Sequence, residues 1–162
     1  MISIDDFLLF CNRTLDGYEG AIAELDDETV NALPPLPDPN SPFQLVTHAV
    51  GAGTWWTARV VCGHEVERDR DGEFSTVGTA DAARKSLADF RRLLGELAPE
   101  LAAASELAII PSTQTPLGAP WTVGAALIHA YEELAQHLGH LQITVDLVGT
   151  APPSPASSFA SS

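Results

Sequence analysis

The stretch Leu127-Ile128-His129-Ala130-Tyr131-Glu132-Glu133-Leu134-Ala135-Gln136-His137-Leu138-Gly139-His140-Leu141 decides the fold of this chain. Leu127, Leu134, Leu138, Leu141, Val145 and Val148 return at intervals of seven, four and three residues, the period of a helix that buries one face. The helix should open near Thr122 and close at Gly149, a residue type common just past a helix end. At about 3.6 residues per turn, Glu133 and His137 lie about 40° apart around this helix and about 6 Å apart along it. They border the apolar stripe, roughly 100° and 60° from its centre, with His129 and His140 slightly further round. Groups placed there can hold one ion in a cleft between helices while the leucines still pack.

Working outward, Ile4, Phe7, Leu8, Cys11, Leu15, Tyr18, Ile22 and Leu25 mark a first amphipathic helix. Residues 31–42 hold too many prolines for a helix interior and read as a long extended crossover. A second helix should start at Pro42, a favourable first-turn residue, and run through Trp55 and Trp56 to Gly63, with Gly51 and Gly53 as weak points. His64 to Glu73 reads as a charged surface loop. The third helix has Thr79 as cap and Leu87, Phe90, Leu94, Leu97 and Leu101 as its stripe, and Pro99 is expected to kink or interrupt it. Three prolines between Leu107 and Trp121 leave a loop or a short strand pair. The expected fold is all-α, a four-helix bundle with a long first crossover, formed by residues 1–149. Residues 150–162, rich in Pro, Ser and Ala, are expected to be a disordered tail.

Composition narrows the function. Eight Lys plus Arg against 22 Asp plus Glu give a net charge of −14, which offers no footprint for nucleic acid or an anionic membrane surface. No apolar run is long enough to span a bilayer, and the first residues carry acid where a secretory signal carries base, so the expected location is cytoplasmic. Cys11 and Cys62 are too few for a disulfide framework or a Cys-rich zinc module and read as free, buried thiols.

Glu133 and His137 supply two ligands of a possible metal ion, and His48, in the middle of the second helix, is the candidate for a third. Histidines at helical spacing are equally common as solvated surface groups, so spacing alone leaves the metal reading open. His140 fits a supporting role beside the ligands. His129 and Trp55 are candidates for the same surround or for a substrate cleft, with Trp56 as the alternative aromatic and one of the two tryptophans in the core. Glu132 should face solvent, and His64 receives no role.

The segment from Pro120-Trp121-Thr122-Val123-Gly124 to Glu133-Leu134-Ala135-Gln136-His137-Leu138-Gly139-His140-Leu141-Gln142, with His48 upstream, resembles the DinB-like superfamily. It is most similar to the actinobacterial group that includes mycothiol-dependent maleylpyruvate isomerase and thiol S-transferases, over roughly residues 3 to 149. The resemblance implies a four-helix bundle whose ligands are His48, Glu133 and His137. It further implies a divalent metal (zinc first, nickel or iron as alternatives) and a low-molecular-weight thiol of the mycothiol type as cosubstrate. The implied chemistry is thiol activation for attack on a small electrophile, or thiol-dependent isomerisation, in detoxification. Relatives are often homodimers. One departure is Val145, which stands where relatives often carry Arg, so the resemblance does not carry an anion contact over to that position.

Two other classes fit the residues. Two His and one carboxylate with open positions also describe non-haem iron oxygenases. A bundle that binds a metal or a small ligand without turnover, as a stress-related protein, is the non-enzymatic alternative. An acidic surface repels anionic substrates unless the metal and Arg59 or nearby basic groups create a local positive field.

Overall fold

Helix ends in this protein form where side chains can satisfy the free backbone amides. The computed structural model describes residues 3–105, 107–111 and 120–150. Helix α1 spans Ile4–Ile22, and its first-turn Asp6 N–H donates to the Ser3 hydroxyl at 3.1 Å. Helix α2 spans Pro42–Thr54 behind a capping box, in which Gln44 N–H donates to Ser41 Oγ and Ser41 N–H donates to Gln44 Oε1. Helix α3 spans Ala80–Ala103, capped by Thr79, and helix α4 spans Val123–Thr150. The expected four-helix, all-α architecture is thus the observed one. Pro99 lies inside α3 without ending it.

Each helix packs against two others: α4 against α1 and α2, and α3 against α1 and α2. The stripes foreseen from periodicity meet in the core, where Leu15, Tyr18, Ile22, Leu45, Leu87, Leu94, Leu101, Leu134 and Leu141 are fully buried. Each such side chain contributes about 1.5–3 kcal/mol relative to an exposed position. The open end of α1 has no basic residue of its own in its last turn. Arg84 of α3 closes it instead, donating to the carbonyls of Ile22, Ala23 and Leu25. Asn31 fastens the crossover to the approach of α3 by pairing with both the N–H and the carbonyl of Gly78.

Two details differ from the periodic reading, and a third decides between the loop and the strand pair it left open. The second helix is α-helical only to Thr54; Trp55–Val61 continue as a π-helix, whose wider turn re-aims the two tryptophans. The His64–Glu73 connection is not wholly surface, because Glu73 is buried. The proline-rich link before α4 contains a minimal antiparallel pair, β1 (Ile109–Ile110) and β2 (Trp121–Thr122), with Ile109 opposite Thr122. Helix α4 runs one residue past the expected boundary, and the rest of the expected tail, 151–162, lies outside the described residues, as do 106 and 112–119. Among the described residues no helix is long and apolar enough to cross a membrane.

Gly53 is a weak point by propensity only. A Cβ there would collide with the ring of Phe90, itself 2% exposed and unable to swing aside. Gly53→Ala gains about 1 kcal/mol of helix propensity but meets an overpacking cost of about 1–3 kcal/mol. The expected outcome is net destabilisation of about 1 kcal/mol in urea unfolding; a more stable variant would show that the α2–α3 contact is looser than described.

Candidate metal centre

His48, Glu133 and His137 converge where α2 crosses α4. One ligand-type atom from each lies within 4.8 Å of the others. His48 Nε2 is 3.5 Å from Glu133 Oε2, and His137 Nε2 is 3.6 Å from the same oxygen. These separations are long for hydrogen bonds. They are close to the spacing of two ligands on one tetrahedral ion, since bonds of about 2.0–2.1 Å set ligand atoms about 3.3–3.4 Å apart. The donor set therefore fits a divalent cation. His48 is 3% exposed, whereas the side chains of Glu133 and His137 retain 25% and 23% exposure, so access from solvent is on the α4 side.

The facing imidazoles of His137 and then His48 hold the Glu133 carboxyl well below the usual carboxylate range, against the opposing effect of its partial burial. His129, one turn earlier on α4, approaches the other carboxylate oxygen, with Nε2 3.4 Å from Glu133 Oε1. Its ring stands edge-on to Trp56 at 4.8 Å and to Trp121 at 5.1 Å, and the two indoles stack on each other at 5.4 Å. Trp56 thus occupies the place beside the site, while Trp55 packs half-buried against the core. The π-helical turn accounts for the choice, because the wider winding rotates residues after Thr54 relative to a continued α-helix.

His140 stands further from the cluster, its ring stacked 6.3 Å from that of His137. Burial, and then the His137 charge, lower its pKa. Glu132 is exposed as expected and contacts His129 Nδ1 at 3.1 Å. His64 pairs with Glu100 at 2.7 Å on the surface. Arg59 is exposed and, among the described residues, donates to the His64 carbonyl, so the basic group nearest the site is a different one.

That group is Arg68, and with it come Glu73 and Phe74, none of which the periodicity singled out. The 3₁₀ turn Gly72–Phe74 carries Glu73 inward until its Oε2 is 2.8 Å from His48 Nδ1. Arg68 forks onto the same carboxylate, Nε to Oε1 at 2.7 Å and Nη2 to Oε2 at 2.9 Å. Phe74 lies against the imidazole, ring centroids 4.6 Å apart. The sole sequence hint was one aromatic after Asp71-Gly72-Glu73, at the end of an otherwise charged run.

Comparison with curated proteins finds no match. A family model described as mycothiol-S-transferase matches residues 7–148, a span that contains all four helices' core positions and every group of the cluster. The chain belongs to the mycothiol-S-transferase family, a DinB-like group.

Proposed function

We propose that the protein is a metal-dependent thiol S-transferase of the mycothiol type, with His48, Glu133 and His137 holding one divalent cation, zinc first. The observation that carries this reading is the ion-like spacing of three ligand-type atoms at a partly open crossing of helices. Family membership supplies the thiol. A bound cation would stabilise a thiolate at neutral pH. The reaction joins the thiol sulfur to an electrophilic carbon; the thiol proton is released and the displaced electron pair leaves with the departing group or moves onto the acceptor. His129 approaches the Glu133 oxygen that faces away from the two ligand imidazoles, and the buried Trp56 backs Trp121, whose half-buried indole is the apolar surface beside the site that a small electrophile would meet. The reducing cytoplasm, where such thiols persist, is the compartment that suits this chemistry.

The protein's own thiols do not compete for the nucleophile's role. Burial pushes Cys11 up to about 12, and burial aided by the Glu100 charge pushes Cys62 up to about 11. A raised thiol pKa leaves almost no thiolate at neutral pH, and the reactive form grows only as pH climbs toward that value. Native-state alkylation followed by mass spectrometry should therefore find both cysteines nearly inert at pH 7.5, with Cys62 labelling faster above about pH 9. Rapid labelling of Cys62 at neutral pH would point instead to a protein nucleophile.

The deciding measurement is metal content of tag-free protein together with thiol consumption. Wild type should hold about one equivalent of metal, and His48→Ala, Glu133→Ala and His137→Ala should lose it. Loss of a thiol with 1-chloro-2,4-dinitrobenzene should be accelerated by metal in wild type alone. Metal binding without any such acceleration would favour a non-catalytic binding protein, and no binding of zinc, nickel or iron would remove the reading.

A further inference from the structure

We propose that Glu73, clamped by Arg68, is a positioning residue that fixes the tautomer and orientation of His48 so that Nε2 is presented to the cation; the proposal rests on the metal reading above. Arg68 grips the Glu73 carboxylate with two parallel N–H···O contacts, which fixes its plane. A carboxylate so paired can only accept, so the 2.8 Å contact requires that His48 Nδ1 carry the hydrogen. Arg68 Nη2 is also 3.5 Å from Nδ1, but with both as donors that approach is proximity and not a bond. In a neutral imidazole the lone pair is then on Nε2, the atom that faces Glu133. The Phe74 ring, 4.6 Å away, and the His137 ring, 4.5 Å away, leave the buried imidazole little freedom to turn.

A second observation, independent of these contacts, comes from α2. Gly51 lies three residues after His48, and a Cβ there would run into the Glu73 carboxylate and approach Arg68 Nε at 3.4 Å. The helix thus carries its poorest ordinary helix former at the place where the pair is seated. A plain surface ion pair would need no such vacancy. Carboxylate–histidine–metal arrangements of this kind typically strengthen metal binding by about 10–100-fold.

The test uses the full chain, with zinc affinity from competition against a chromophoric chelator and the His48 tautomer from long-range ¹H–¹⁵N NMR of metal-free protein. Wild type should show His48 with hydrogen on Nδ1. Glu73→Ala should bind zinc about 10–100-fold more weakly and shift hydrogen toward Nε2. Gly51→Ala should move both readouts in the same direction although it removes no polar group, and Glu73→Asp should recover part of the affinity. The wild-type tautomer decides the matter even if a variant does not fold. Zinc bound by wild type and by Glu73→Ala within about twofold, or a wild-type His48 with hydrogen on Nε2, would overturn this proposal and leave the metal site standing. Wild-type protein that binds no zinc, nickel or iron would overturn the metal reading and this proposal together.

Discussion

Close packing of α2 against α4 is the constraint on which the site depends. His48 and Glu133 belong to different helices, yet His48 Nε2 and Glu133 Oε2 are 3.5 Å apart, an approach that large side chains between the backbones would prevent. Both helices bury small residues, Ala49 and Ala52 on α2 and Ala126 and Ala130 on α4. The position of α4 along the bundle is fixed from α1, where the buried Tyr18 hydroxyl donates to the Leu134 carbonyl at 2.9 Å. Burial, and to a lesser degree the Glu133 charge, push the Tyr18 phenol far up in pKa, so it stays a donor at any working pH. Leu134 adjoins Glu133, and the anchor therefore acts one residue from the cluster.

The bundle was legible in the sequence because burial on a helix repeats every 3.6 residues, so Leu15, Leu87, Leu94 and Leu141 announce their faces locally. The cluster was legible for the same reason: Glu133 and His137 share a face through their spacing of four, and His48 sits mid-helix. What stayed hidden depends on contacts between distant segments. Glu73 lies in a run of charge that, read locally, belongs in water; it is buried because Arg68 compensates its charge and His48 offers a hydrogen, and neither fact has a periodic signature. The exchange of Trp56 for Trp55 beside His129 was hidden too, since a π-turn adds a residue to the winding and no propensity marks where that happens.

Charge is distributed unevenly around the site. The chain carries a net charge of −14, while among the described residues the guanidinium against the cluster, Arg68, is spent on Glu73. Arg68 therefore does not offer a free positive group to an anionic substrate. Under the proposed function, the positive field met by an incoming thiol would come from the bound cation, beside a Glu133 carboxyl that its imidazole neighbours hold well below the usual carboxylate range.

The turn at Gly72–Phe74 has a consequence for the entropy of the connection between α2 and α3. By seating Glu73 and Phe74 on His48, it divides one long link into two shorter loops, each with a smaller closure cost. The ordering of that link and the orientation of a helix side chain thereby become one thermodynamic unit. Whatever favours the fixed imidazole also favours the ordered loop, and loosening the loop returns rotational freedom to His48 by the same free energy.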